Sequence, residues 1–162
     1  MTELMGVLHA DTSTASVRFE RHYATDVADL WSAVTEPERV ARWFAPVTGD
    51  FRVGGKVDVH FDDHDNVYEV QTCEPPSLLV VHWIHDDGQS LVRAELAATP
   101  DGSRLVLDHS GLTADKVPGY GAGWHWHLDA LGAVLAGEDP GSWSTFDVLL
   151  ATSRRETEAL VG

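Results

Sequence analysis

The chain has 162 residues, 43% of them hydrophobic and 23% charged, which is typical of one globular domain. Its 26 acidic residues against 11 basic ones give a formal charge of −15 at pH 7, so nucleic acid and anionic membranes are not expected partners. One cysteine excludes an intrachain disulfide, and without a signal-peptide pattern or an apolar run of about 18 residues we expect a cytoplasmic protein.

The first predicted elements follow an N-terminal arm, residues 1–14, in which weak periodicity leaves open an irregular segment or a short strand. Alternating apolar and polar residues predict a strand over residues 15–23. Asp26 is a suitable N-cap for a first helix. A second helix starts with Thr35 as its cap and Pro37 in its first turn. The sequence therefore predicts two short helices back to back after the first strand.

A series of strands separated by turn residues comes next. They are predicted over residues 51–53, 56–61, 67–73, 78–84, 90–97 and 104–109. The acidic run 62–66 predicts a hairpin loop between two of them. Residues 78–84 are apolar on both faces, which is expected for a central strand. The pattern predicts a strand meander.

A long helix is predicted over about residues 118–136. One apolar stripe, with steps of 4, 4, 3 and 4 residues, runs along it: Tyr120, Trp124, Leu128, Leu131 and Leu135. Gly119, Gly121 and Gly123 in its opening turns each cost about 1 kcal/mol relative to alanine. A helix tolerates them if it must approach another surface closely or bend. The aromatic residues on this helix suggest the wall of a ligand cavity.

A last helix is predicted over residues 143–160, after a break at 137–141. Trp126 falls opposite Trp124 on the helical wheel, so one of them does not face the main core. We expect Trp126 to be covered by three residues of the last helix: Trp143, Phe146 and Leu150. The predicted organisation is an N-terminal arm, a core domain and a packed helical extension: 1–14, 15–137 and 138–162.

The order of three segments resembles the START-like superfamily, also called helix-grip or SRPBCC: WSAVTEPERVARWF early, GDFRVGG next and GYGAGWHWHLDAL late. More narrowly, it resembles the branch homologous to the activator of the heat-shock protein 90 ATPase. The matching pieces lie at residues 31–43, 49–55, 74–76, 83, 103–111 and 123–124. The resemblance implies an α+β fold, with an antiparallel sheet curled around the long C-terminal helix and a cavity between them.

The resemblance also implies a function. Members of the superfamily bind lipids, sterols, polyketides, plant hormones or other hydrophobic molecules, so we expect a small hydrophobic or amphipathic ligand. A cyclase or dehydratase using a cavity histidine, and a chaperone ATPase-activating module, are the alternatives. No cofactor and no catalytic residue are implied, because the superfamily has no universal catalytic motif. The strand at 78–84 and the last helix permit a homodimer without requiring one.

Nine residues form the candidate ligand-binding set, because pockets for apolar ligands need aromatic walls and a few polar groups. They are Trp43, Phe44, Phe51, Tyr68, Trp83, His109, Tyr120, Trp124 and His127. Core packing is the alternative for each aromatic residue. For His109 and His127 a packed ring with a satisfied nitrogen is favoured over a general base. His82 and Trp83 lie on opposite strand faces, so only one of them points inward.

Two polar patterns have competing interpretations. His125, His127 and Asp129 cannot chelate one ion from a regular helix, because the first two point about 200° apart. We expect a surface or capping hydrogen bond between His125 and Asp129 and no metal. Arg93 and Glu95 share one strand face, where a solvated charge pattern is favoured over an anchor for a carboxylate ligand.

Overall fold

The described residues form one antiparallel sheet and three helices in the computed structural model, which describes residues 7–10, 15–60, 65–85, 88–113 and 116–139. The strands are β1 Val7–Ala10, β2 Ala15–Tyr23, β3 Val47–Gly49, β4 Lys56–His60, β5 Asp65–Glu74, β6 Leu78–His85, β7 Gly88–Thr99 and β8 Gly102–Leu112. The helices are α1 Val27–Thr35, α2 Pro37–Trp43 and α3 Val117–Leu135. The predicted α+β architecture is confirmed.

The sheet order places the first long strand beside the last one. The order is β1-β2-β8-β7-β6-β5-β4-β3, and every neighbouring pair is antiparallel. In the β2–β8 pair, Val17 lies opposite His109. Part of the N-terminal arm forms β1, so the short-strand interpretation holds for Val7–Ala10. The doubly apolar strand is β6, which lies between β5 and β7 as expected of a central strand.

The two short helices form where they were predicted, but one of the two caps is different. The side chain of Asp26 accepts a hydrogen bond of 2.8 Å from the backbone N–H of Asp29, which confirms this N-cap. Thr35 does not cap α2. It stays in the last turn of α1, where its hydroxyl donates to the carbonyl oxygen of Trp31 at 2.7 Å, a local bond that competes with capping. The N-cap position of α2 falls on Glu36.

The strand predicted over residues 51–53 is wrong. The ladder with β4 is formed instead by β3, and the chain between them turns through residues 50–55. Gly49 and Gly54 have φ of 120° and 80°, which side-chain-bearing residues rarely adopt. A Cβ at Gly49 would clash with the carbonyl oxygen of Lys56. The two glycines therefore shape a tight turn, and the short segment between them has no strand partner.

The core lies between the sheet and the helices, with α3 packed against β2, α1 and α2. The predicted stripe on α3 is buried in its middle, where Trp124, Leu128 and Leu131 are 5%, 1% and 0% exposed. Tyr120 and Leu135, at its two ends, are partly buried against the core. Burying one leucine contributes about 1.5–3 kcal/mol. The helix is therefore held to the sheet mainly through this stripe.

Several sequence predictions lie outside the described residues. They are the last helix, its three residues expected to cover Trp126, and most of the predicted hairpin loop. Within the described residues, no helix is both long enough and apolar enough to span a membrane.

Candidate functional site

A cavity of about 50 Å³ lies between the sheet and the helices α1, α2 and α3. Its walls are apolar and no charged side chain of the described residues lines it. The lining residues are Val34, Val40, Trp43, Phe44, Phe51, Tyr68, Leu79, Val81, Val92, Ala94, Leu105, Leu107 and Trp124. Pockets that hold drug-sized ligands measure about 300–1,000 Å³. In this conformation the cavity is smaller than such pockets, and a larger ligand requires some of the lining side chains to rotate.

Phe44 is the centre of an aromatic cluster around this cavity. It follows α2 and is partly exposed, in contact with both the core and the surface. Its ring stacks on Trp124 with a centroid distance of 5.5 Å and an interplanar angle of 10°. The rings of Trp43, His127 and Tyr68 lie 5.5, 4.7 and 6.1 Å from it. With Trp83 at 6.3 Å, this partly exposed ring contacts five others, so its rotation would open the cluster toward the surface.

His109 lies behind the cavity wall and is fully buried, with 0% exposure. The indole Nε1 of Trp124 donates to its Nδ1 at 2.9 Å. An indole nitrogen only donates, so Nδ1 is the acceptor and the proton of the neutral ring is on Nε2. That nitrogen lies 2.7 Å from the hydroxyl of Ser90, to which it donates. Since both ring nitrogens are bonded, His109 fixes the position of Trp124 and has no lone pair available for the Ser90 proton.

His127 is the second buried histidine beside the aromatic cluster. Its Nδ1 lies 3.1 Å from the carbonyl oxygen of Trp43, so it is the donor and links α3 to the end of α2. Burial lowers the pKa of His127 to about 4, although this backbone hydrogen bond partly opposes the effect. The ring is therefore neutral at pH 7.

Tyr68 carries the one hydroxyl among the side chains that line the cavity. The residue lies on β5, is 5% exposed, and its oxygen has no hydrogen-bond partner within the part of the chain that the structure describes. Burial raises the pKa of Tyr68 well above its usual value, and the nearby phenol of Tyr120 adds to the effect. The phenol is neutral and keeps its proton as a donor.

The nine candidate residues divide into two groups. Five line the cavity: Trp43, Phe44, Phe51, Tyr68 and Trp124. Four do not line it: Trp83, His109 and Tyr120 pack on one another behind the wall, and His127 packs separately against Phe44. Behind the wall the ring of Trp83 stacks on His109 at 5.2 Å, and Tyr120 meets both of them edge-on. The candidate set thus contains residues of one aromatic cluster, but the sequence did not show which of them line the cavity.

The aliphatic part of the wall was missing from the candidate set. Val92 and Ala94 of β7 are buried and line the cavity, while Arg93 and Glu95 alternate with them on the other face. The two charged side chains pair at 2.7 Å and are 42% and 46% exposed. The solvated interpretation is confirmed and the carboxylate anchor is wrong. The alternation along this strand was the signal that could have identified its inward-facing residues.

The structure decides two further expectations. His125 Nε2 and the carboxylate of Asp129 lie 3.2 Å apart, so the expected pairing is confirmed, although His125 is buried and does not lie on the surface. Trp83 points inward and is 5% exposed, while His82 lies on the opposite face and is only partly buried. Among the described residues, no three potential ligands from histidine, cysteine, aspartate and glutamate are placed to hold a metal ion.

An antiparallel sheet curled around a long helix, with an aromatic cavity between them, defines a START-like helix-grip protein. The sequence model of the family described as "Activator of Hsp90 ATPase homolog 1-like protein" matches residues 24–136, and the chain belongs to this family. Among curated proteins, none matches the chain.

Solved structures share the fold across most of the chain. CalU16 from Micromonospora echinospora is 30% identical with a TM-score of 0.76, over 91% of this chain and 88% of that one. DynU16, a protein in the dynemicin biosynthetic locus, is 27% identical with a TM-score of 0.72, over 78% of this chain and 49% of that one. The Aha1 dimer from Colwellia psychrerythraea is 14% identical with a TM-score of 0.69, over 74% and 95%, a likeness of fold alone.

Proposed function

We propose that this protein binds a small hydrophobic or amphipathic molecule in the cavity between sheet and α3, and that it catalyses no reaction. The observation that carries the proposal is the wall itself. It combines five aromatic and eight aliphatic side chains with one hydroxyl and no charge among the described residues. This is the composition of sites that bind apolar ligands through burial and place few polar groups for orientation. The likeness to DynU16, from a biosynthetic locus, also supports small-molecule binding.

The alternative of an enzyme with a cavity histidine has less support. Neither His109 nor His127 lines the cavity. His109 has both nitrogens engaged, and His127 donates its Nδ1 proton to a backbone carbonyl. A general base must come within hydrogen-bond reach of the proton that it removes. The two histidines therefore act in this proposal as packing groups that position Trp124 and α2.

The alternative of a chaperone-activating module predicts an exposed apolar patch outside the cavity. In the part of the chain that the structure describes, Val53, at 65%, is the one large hydrophobic side chain that is exposed. A single valine does not form a docking patch. The homodimer and the cytoplasmic location stay predictions.

The test uses a neutral aromatic probe and a variant that fills the cavity. 2-Acetylnaphthalene is titrated against the purified protein by isothermal calorimetry, and we expect saturable binding of one equivalent. Ala94→Leu places extra methyl groups in the cavity and should weaken binding at least about tenfold. Ala98→Leu adds the same groups on an exposed position of the same strand and should leave binding unchanged.

Two outcomes contradict the proposal. One is the absence of saturable binding to the wild-type protein at the solubility limit of the probe. The other is equal affinity of the wild type and a folded Ala94→Leu variant, which would place the probe elsewhere. If Ala94→Leu does not fold, Ala94→Val makes the same comparison with a smaller side chain.

A further inference from the structure

We propose that the ligand of this cavity is an uncharged aromatic molecule with a hydrogen-bond acceptor, such as a carbonyl oxygen, that binds the hydroxyl of Tyr68. The inference rests on the proposed function and specifies the chemical class of its ligand. It comes from the way in which the polar atoms of the cavity wall are paired.

Three side chains of the wall carry a polar atom, and two of these atoms are paired within the protein. The indole of Trp43 donates to the carbonyl oxygen of Ala33 at 2.8 Å, and that of Trp124 donates to His109 at 2.9 Å. The hydroxyl of Tyr68 is buried and has no partner among the described residues. About 90% or more of buried polar groups in proteins are hydrogen-bonded, because an unpaired one loses its hydration without compensation. Among the polar atoms of the lining side chains, the Tyr68 hydroxyl is therefore the one that we assign to a ligand.

The second buried tyrosine shows that this fold can satisfy a phenol. The hydroxyl of Tyr23 donates to the carbonyl oxygen of Leu128 at 2.9 Å, linking β2 to α3. Both residues are at least nine-tenths buried, and burial raises the pKa of both phenols. The two side chains differ in whether the protein supplies an acceptor. Tyr23 is thus the matched structural control for Tyr68.

The charge of the ligand follows from the rest of the wall. No cationic or anionic side chain lines the cavity among the described residues. A carboxylate or an ammonium group transferred there would lose its hydration with no opposite charge to compensate. The aromatic wall could attract a cation over a ring face. However, Phe44 and Trp124 turn their faces to each other at 10°, and aliphatic side chains form the larger part of the wall. These features favour a flat, neutral ring.

The acceptor follows from the protonation of Tyr68. Its phenol stays neutral across the physiological pH range because burial raises its pKa well above the usual value. A neutral phenol can both donate and accept, and its donor hydrogen is the part that needs a carbonyl, ester or ether oxygen as partner. The ligand that completes the wall therefore presents such an oxygen toward β5.

The experiment uses four naphthalene probes of matched shape. 2-Acetylnaphthalene carries a neutral acceptor, 2-ethylnaphthalene carries none, 2-naphthoate is an anion, and trimethyl(2-naphthyl)ammonium is a cation. Tyr68→Phe should weaken binding of the acetyl probe about two- to tenfold, the range of one net hydrogen bond, and leave the ethyl probe within about twofold. In the wild-type protein both ions should bind at least about tenfold more weakly than the acetyl probe.

A stability measurement without probe separates a binding role from a structural one. Removing an unpaired buried hydroxyl should raise the melting midpoint of Tyr68→Phe by about 2–4 °C. Tyr23→Phe removes a paired hydroxyl and should lower it by a similar amount. If Tyr68→Phe instead melts at a lower temperature than the wild type, as expected for Tyr23→Phe, the hydroxyl of Tyr68 has a structural partner. That result would overturn the inference.

The binding data separate this inference from the function on which it rests. If no probe binds the wild type, the proposed function fails. If probes bind but Tyr68→Phe weakens the acetyl and ethyl probes equally, or if either ion binds most tightly, the cavity function stands and the proposed ligand class is wrong.

Discussion

The two halves of α3 carry one apolar stripe but pack in different surroundings. The C-terminal half buries Leu128 and Leu131 almost completely, and Tyr23 is hydrogen-bonded to its backbone. The N-terminal half contains Gly119, Gly121 and Gly123, and its Trp124 lines the cavity. The comparison indicates that the two halves have different roles. The C-terminal, aliphatic half holds the helix to the sheet, and the N-terminal, aromatic half forms part of the site. The following predictions test whether the two roles are separate.

The largest effect is expected in the C-terminal half. Leu131→Ala removes a side chain that is 0% exposed and should lower the free energy of unfolding by about 2–5 kcal/mol, measured by urea denaturation. Val134→Ala, at a partly buried position one turn away, should lower the free energy of unfolding by less. Affinity for 2-acetylnaphthalene should change in neither folded variant. A loss of affinity in Leu131→Ala without loss of stability would show that the two halves are not separate.

The next effect concerns the aromatic half and depends on pH. The pKa of His127 is about 4 in the folded protein and about 6.5 in an unfolded chain, so the unfolded chain takes up the proton first as the pH falls. The contribution of neutral His127 is complete above about pH 6.5 and declines toward pH 4, by about 3 kcal/mol in total. His127→Gln should remove this part of the pH dependence of unfolding.

The control for that measurement is His22→Gln, because the side chain of His22 is 64% exposed. Other groups titrate over the same range, so the informative quantity is the difference between wild type and variant at pH 7 and at pH 4.5. Parallel stability curves for wild type and His127→Gln would contradict the assignment of a buried neutral ring.

The smallest effect concerns the glycines of the aromatic half. A Cβ at Gly119 or Gly123 would meet, outside its own stretch of helix, no atom of the described residues within 4 Å, and neither residue has a positive φ. Neither packing nor backbone geometry therefore requires glycine, and Gly119→Ala and Gly123→Ala should each stabilise the protein by about 0.5–1 kcal/mol. Gly132→Ala is the control in the other half, where a Cβ would lie 3.3 Å from the Tyr23 ring. Equal stabilisation by alanine at all three positions would argue against a difference between the two halves of α3.

Local patterns in the sequence predicted most of the fold. A helix cap such as Asp26 depends on a side chain close to the backbone that it bonds. A long amphipathic helix such as α3 depends on a repeated spacing of apolar residues. Both can be seen in the sequence alone. One error was local, because the hydroxyl of Thr35 bonds to the carbonyl oxygen of Trp31 and does not cap α2. The other fell where pairing between distant segments decides. The ladder with β4 formed at β3 and not at Phe51, because two glycines with positive φ turn the chain there.

The candidate site was predicted as a set of aromatic residues but not as an arrangement. Residue type alone cannot separate Phe44, which lines the cavity, from Trp83, which packs behind it. The tautomer of His109 depends on an indole from another element, and the unpaired hydroxyl of Tyr68 depends on what lies around it in space. Such properties follow from tertiary contacts that no local pattern encodes.

Native mass spectrometry tests the central claim, that the cavity binds a small neutral molecule, most directly. Wild type and Ala94→Leu are mixed with excess 2-acetylnaphthalene and compared under native and denaturing conditions. We predict one bound probe per wild-type chain, lost on denaturation, and little or no bound probe on Ala94→Leu. The same native mass with and without the probe, or equal occupancy in the two proteins, would contradict the account.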